Sequence, residues 1–288
     1  MGVKALPNLT LDMTSEYIQK LTKKVLFIDI ETSLVDAKVF RPGTQFVAAN
    51  QLTSTTKVLT VAGGWLYDLL TDGEDGMWSC SNHRSPTFDK DPLDDEVILQ
   101  DVWHELDRAE VVVAHNASFD QGWLFGRFLE LGWALPSKFF LFCTYQNLRP
   151  FNLTSKKLDE LSKTLIGTKK LPTDMSLWMR CSEGDVSAFK EMEAYNRGDV
   201  FNTLFKVWLR TAYYNPHKAI DFADPHSDDI LCKVDGGTLE LYKPYYDRRN
   251  GLYYYRYVNP RSGQVYVDRY NTNSSKAGLG FIRPHVGY

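Results

Sequence analysis

The run Val25-Leu26-Phe27-Ile28, continuing through Asp29-Ile30-Glu31 into Thr32-Ser33, narrows the possible folds more than any other stretch. Unbroken apolar character rich in Val and Ile predicts a strand buried on both faces, which requires a sheet covered on both sides. Alternate side chains of a strand share a face, so Asp29 and Glu31 point the same way at its end. Neighbouring carboxylates raise each other's pKa unless a cation lies between them. An oxygen-only, doubly anionic pair suits Mg²⁺ or Mn²⁺.

A second buried run, Val111-Val112-Val113-Ala114, ends in His115-Asn116 and leads into a helical pattern over 118–131. Phe119, Leu124, Phe125, Phe128 and Leu129 are its expected inward residues, and Asp120 falls in its first turn. His115 is expected to be a hydrogen-bonded strand-end residue. Asn116 is expected either to position substrate or to cap the turn. Further strands are predicted over 58–67, 76–80 and 138–144, with helices over 94–108 and 155–165, the latter ended by Gly167. Strands alternating with helices predict an α/β fold with some parallel pairing. In such sheets, sites form beyond the carboxyl ends of the strands. The irregular stretch 35–57 follows the Asp29 strand directly and is expected either to shape a substrate groove or to be a plain surface excursion.

The third informative stretch lies on a long helix predicted over 185–213. It holds Tyr195-Asn196-Arg197-Gly198-Asp199. Tyr195 and Asp199 are i and i+4, hence neighbours on one face. Gly198 costs about 1 kcal/mol against Ala inside a helix, and is read as marking a close approach by another backbone or by substrate.

The flanks carry less chemistry. A short helix over 15–23 is expected to pack Tyr17, Ile18 and Leu21. Beyond 216 the chain is rich in Tyr and turns, with strands predicted over 238–243, 252–258 and 264–269, a hairpin turn at 261–264, and a mobile tail from Asn271. The net charge of −3 excludes a strongly basic coat, so nucleic acid would have to meet local patches such as Lys156-Lys157 with Lys169-Lys170. The four cysteines form no C-x-x-C pair, which predicts free thiols in a reducing compartment. With no leader-like or membrane-length apolar run, a soluble cytoplasmic protein is expected.

Taken in order, Asp29-x-Glu31, Asn116-x-x-Phe119-Asp120 and Tyr195-x-x-x-Asp199 resemble the three exonuclease motifs of the DEDD superfamily. Tyrosine in the third motif is similar to the DEDDy branch. The fuller text, Phe27-Ile28-Asp29-Ile30-Glu31-Thr32-Ser33 with His115-Asn116 and Tyr195-Asn196-x-Gly198-Asp199-Val200, most resembles predicted 3′–5′ exonucleases of bacteriophages. Gly184-Asp185 before the third helix adds to the likeness, which runs from about Lys24 to Tyr213.

The resemblance implies a ribonuclease H-like mixed sheet flanked by helices over 24–215, preceded by an arm (1–23) and followed by a small β appendage (216–288). It implies two divalent cations, Mg²⁺ or Mn²⁺. Asp29 would be shared between them, Glu31 and Asp199 would complete one site, and Asp120 would serve the other. Tyr195 would orient the attacking water, and Thr32, Ser33, Leu34 and Asn116 would contact substrate. The implied reaction removes nucleoside 5′-monophosphates from single-stranded 3′ ends, DNA somewhat ahead of RNA, in the host cytoplasm if phage-encoded, beside a replication or repair protein in trans. The alternatives are an inactive nucleic-acid or host-factor binding protein on the same scaffold, and a structure-selective endonuclease.

Two departures stand out. Cys143 occupies a strand where some relatives carry an acid. In the appendage, Cys232-Lys233-Val234-Asp235-Gly236-Gly237 looks like a zinc-ribbon knuckle whose second cysteine has become Asp235. One cysteine does not hold a structural zinc, so a metal-free hairpin fold is expected there.

Overall fold

The computed structural model describes residues 8–41, 43, 46–168, 171–213, 220–279 and 282–284. The chain divides into two compact units, Lys23–Val207 and a second made of Met1–Thr22 with Trp208–Tyr288. The arm therefore groups with the C-terminal part, and the division falls at 207 rather than near 215. Among the described residues, no helix is long and apolar enough to cross a membrane.

The larger unit is an α/β body. Its strands are β1 (Val25–Thr32), β2 (Val58–Trp65), β3 (Met77–Ser81), β4 (Val111–Ala114) and β5 (Phe140–Cys143). They form one mixed sheet in the order β3-β2-β1-β4-β5. β2 runs antiparallel to β1 and β3, whereas β1, β4 and β5 are parallel. The parallel half follows from the intervening helices, because parallel neighbours need a crossover rather than a tight turn.

Strand alternation sorts the core. Leu26, Ile28 and Ile30 of β1, with Val61, Val112 and Ala114, pack on the side that also holds Leu99, Val102, Leu106, Leu124 and Phe128. Those residues come from the helices Glu96–Arg108 and Ser118–Glu130. Phe27 points to the opposite face, where its ring meets Phe205 edge-on at 5.5 Å. Asp29 and Glu31 are in phase with Phe27, so the alternation puts both on this second face. There the helix Val186–Gly198 packs Ala188, Phe189 and Met192 against Leu59 of β2.

Helix Ser118–Glu130 corrects two expectations. Its inward stripe is Asp120, Leu124, Arg127 and Phe128, leaving Phe119 and Leu129 exposed. At 3.6 residues per turn, 120, 124, 127 and 128 share one face, and 119 and 129 point away from it, roughly 130° and 150° from its centre. Arg127 earns its inward place by a fork of hydrogen bonds to the buried Asp95, Nε to Oδ2 at 2.9 Å and Nη2 to Oδ1 at 2.7 Å. Asp95 also accepts the Val58 amide at 2.9 Å, so one buried ion pair ties this helix to the start of β2.

The long C-terminal helix of this unit is not regular. After Gly198 it opens into a π-helical stretch, Asp199–Phe205, before an α-helical turn resumes at Lys206–Thr211. The predicted helix over 155–165 is likewise short, Leu158–Leu161, followed by a π turn that ends at Gly167 with φ +81°. Lys156 and Lys157 are described, but Lys169 and Lys170 lie outside the described residues.

The smaller unit carries the helix Glu16–Thr22 and an antiparallel sheet of β6 (Glu240–Leu241), β7 (Tyr245–Asp247), β8 (Leu252–Val258), β9 (Val265–Asn271) and β10 (Ile282–Pro284). β10 pairs with β9, so part of the tail expected to be mobile is in the sheet. The knuckle-like turn keeps its backbone hydrogen bonds, Gly236 N–H to Cys232 O and Cys232 N–H to Gly237 O, both 2.8 Å. Asp235 is fully buried and accepts from Tyr213 Oη (2.9 Å), Asn259 Nδ2 (2.8 Å) and the Gly237 amide (2.9 Å). Cys232 Sγ lies 3.1 Å from the Tyr266 hydroxyl.

Candidate metal centre at the end of the central strand

Three sequence-predicted acids converge. Asp29, Glu31 and Asp199 each offer a carboxylate oxygen, and the three atoms lie within 4.8 Å of one another. Among the described residues no other group of three or more His, Cys, Asp or Glu side chains is as tightly assembled. An octahedral Mg²⁺ holds oxygens about 2.1 Å away, hence up to about 4.2 Å apart across the ion. The donor set and spacing therefore fit a small hard cation after movements of under about 1 Å.

The sheet explains why the acids meet here. β1 pairs with β4 only through Phe27, opposite Val113, so Asp29 to Thr32 extend past that pairing. The Ile30 amide, left beyond the ladder, donates to Asp120 Oδ1 at 3.3 Å. Asp120 reaches it from the first turn of its helix. Asn116 makes the connection with φ +61°, a left-handed conformation that Asn tolerates better than most residues, and its carbonyl accepts from the Phe119 amide at 2.8 Å. On the β2 side the register slips between Glu31 and Thr32. Such irregularities re-aim side chains and recur beside active sites.

Asp120 is the fourth acid. It is 3% exposed, and its Oδ2 is buried without a hydrogen-bond partner. Burial raises its pKa from 3.8 to about 7, against the lowering effect of backbone hydrogen bonds, including that from Ile30. A buried carboxylate with an unsatisfied oxygen is costly unless it is protonated or meets a cation. The chemistry of this second group fits a cation as well.

Asp199 arrives on the buried stripe of its helix, Phe189, Met192, Asn196, Asp199, Val200 and Thr203. A π turn in this position is a frequent mark of functional sites. Helix orientation is set upstream. Gly184 turns at φ +81°, and Asp185 caps the helix by accepting from the Ser187 and Ala188 amides at 2.8 and 3.3 Å. The Ser187 side chain and then Arg180 hold the Asp185 carboxyl down at about 2. Tyr195, one turn before Asp199, is partly buried against the Leu59 and Phe189 cluster, with its ring edge-on to Trp178 at 6.2 Å.

Asn196 is a residue that motif reading quoted without giving it a role. It is fully buried. Its Nδ2 donates to Asp29 Oδ2 at 2.7 Å, and its Oδ1 makes a long 3.5 Å contact with Thr60 Oγ1. The available signal was a polar side chain on a stripe that also carries Phe189, Met192 and Val200. Breaks of that kind in a core pattern mark functional positions.

The remaining candidates divide. Ser33 is buried and braces the chain: its amide donates to Lys57 O (2.7 Å), and its Oγ accepts from the Lys57 amide (2.9 Å). Thr32 is half-buried, while Leu34 and Asn116 are exposed. His115 is held at both nitrogens, Nδ1 to Thr144 Oγ1 at 2.8 Å and Nε2 to Lys156 O at 2.9 Å. Cys143 accepts from the Gln146 amide at 3.4 Å, capping a short turn. For Gly198, the backbone alternative of its expectation is corrected. A Cβ built there meets nothing within 4 Å, so no backbone crowds it. Segment 35–57 is drawn together by an Ala37–Leu52 bridge and presents Phe40 and Phe46 fully to solvent.

No protein-family profile matches this chain, and no curated protein matches its sequence.

Proposed function

We propose that the chain is a divalent-metal-dependent 3′–5′ exonuclease with a ribonuclease H-like fold, acting on single-stranded nucleic acid and releasing nucleoside 5′-monophosphates. The observation that carries this reading is the gathering of Asp29, Glu31 and Asp199 oxygens within 4.8 Å. Asp120, whose Oδ2 is buried without a partner, accepts through Oδ1 from the amide of Ile30, the residue between Asp29 and Glu31. The mixed five-stranded sheet with helices on both faces is compatible with that fold.

Asp29, Glu31 and Asp199 would hold one cation, and Asp120 with Asp29 would take part in holding a second. When bound, the divalent ions acidify water and stabilise charge on the attacking and leaving oxygens of an in-line phosphoryl displacement. The protein then needs no strong base of its own. The Tyr195 hydroxyl orients the attacking water, Asn196 keeps the Asp29 carboxylate in place, and Ser33 braces the strand end. Phe40 and Phe46 offer faces on which unpaired bases stack, which favours single strands.

The test is digestion of a 5′-labelled oligonucleotide with Mg²⁺ or Mn²⁺. A ladder shortened from the 3′ end is expected, with loss of cleavage in the Asp29→Ala/Asp199→Ala double variant. Undiminished cleavage by that variant would overturn the reading, and cleavage of circular single strands would replace it by an endonuclease.

A further inference from the structure

The smaller unit carries a surface that the metal centre does not use. In the β7–β8 hairpin, Tyr246 stands directly opposite Tyr253. Residues so paired share a face of the sheet, and their rings lie 5.0 Å apart at 46°. They remain 47% and 55% exposed. The turn that closes the tyrosine pair contains Arg248 and Arg249, both exposed.

Charge points to the kind of occupant. Between Glu240 and Lys276 the chain has seven Lys and Arg against three Asp and Glu. That surplus of four positive charges occurs in a chain whose net charge is −3, and two of the cations, Arg248 and Arg249, sit exposed in the turn beside the tyrosine pair, where they complement a polyanion. Small anions need cations but no rings. Duplexes hide the faces of their bases. A single strand presents both phosphates and unstacked bases, and meets both halves of this surface.

We infer that the Tyr246–Tyr253 face of the β7–β8 hairpin binds single-stranded nucleic acid, with these two rings stacking on bases and Arg248 and Arg249 of the closing turn meeting phosphates. This second site does not depend on the metal centre and holds for a chain with or without catalysis. Its role is to retain a strand between encounters with any reactive site.

The experiment is fluorescence anisotropy of a labelled 20-nucleotide oligo(dT) with the full-length protein in EDTA, which separates binding from cleavage. Tyr246→Ala/Tyr253→Ala is expected to weaken binding at least about tenfold. Arg248→Glu/Arg249→Glu, changes in an exposed turn that leave the sheet in place, should weaken it similarly. That second variant should also flatten the salt dependence by about 1.4 in the slope of log K against log salt. Wild-type affinity in both double variants would overturn the inference. So would equal binding of a blunt duplex or of polyglutamate, which would make the surface a general or protein-directed polyanion site. Tighter binding of phosphatidylserine vesicles than of oligo(dT) would assign it to membranes instead. The Asp29→Ala/Asp199→Ala protein should retain binding; loss there would show that the metal-centre face is the binding surface.

Discussion

Replacing Asn196 by Leu tests whether the Asp29 carboxylate is held ready for a cation. Leu preserves side-chain volume in a fully buried position but removes the 2.7 Å hydrogen bond to Asp29 Oδ2. A hydrogen bond to a charged group contributes about 1.5–3 kcal/mol, and about 1.4 kcal/mol is tenfold in affinity. The bond exists with or without metal, so only the part spent on orienting Asp29 enters the affinity. Ordering a side chain costs about 0.5–1.5 kcal/mol, and losing an outer partner of a metal ligand typically weakens binding by about 10–100-fold. A loss of about tenfold in Mn²⁺ affinity is therefore expected, read from free Mn²⁺ by electron paramagnetic resonance during titration of metal-free protein. Cleavage at saturating Mn²⁺ should recover most of the wild-type rate, which a misfolded protein would not do. Thr60→Val, nearly isosteric on its strand, should show a smaller effect because its contact with Asn196 is 3.5 Å. Wild-type Mn²⁺ affinity in Asn196→Leu, with an unchanged melting temperature, would refute the argument. A wild-type protein that binds no Mn²⁺ would instead remove the metal site itself.

Three further outcomes follow from particular contacts. Gly198→Ala should stabilise the protein by up to about 1 kcal/mol in urea melts, since helix propensity improves and the new Cβ meets nothing within 4 Å; a fall in cleavage without a fall in stability would show that substrate occupies that space. Arg127→Ala should cost about 3–5 kcal/mol, because it strands the buried Asp95 carboxylate, and Asp95→Asn/Arg127→Met should recover much of the loss. Asp120 makes metal-free stability depend on pH. Its folded pKa of about 7 lies above the ordinary 3.8, so between these values the native state holds a proton that the unfolded chain has released. Metal-free stability should then decline as pH climbs from about 4 to about 7, at up to about 1.4 kcal/mol per unit. Asp120→Asn should abolish that contribution, and Mn²⁺ binding at pH 6 should release a proton, measurable by calorimetry in two buffers.

Much of the site is written into local sequence patterns. Strand alternation is enough to set Asp29 and Glu31 on one face, because the period of two is a property of the backbone itself. The buried runs at Val25 and Val111 likewise specify strands, and the long connection between them allows the parallel pairing that the structure shows. Patterns one residue wide are weaker guides. Phe119 and Leu129 are apolar enough to be core, yet the inward stripe of their helix is claimed by Asp120 and Arg127, whose partners, Ile30 and Asp95, lie far away in sequence. The π turn that begins at Asp199 is not read from apolar periodicity, which assumes 3.6 residues per turn throughout.

By itself, then, the sequence determined which elements form and which acids stand at their ends, since propensity, periodicity and spacing are local properties. Only the tertiary structure decided that three carboxylates meet within 4.8 Å, that Asp120 Oδ2 is buried without a partner, and that Asn196 holds Asp29. Each of these depends on side chains from separate strands and helices arriving at one point, and burial and hydrogen-bond partners acquire values only when the chain has closed around them.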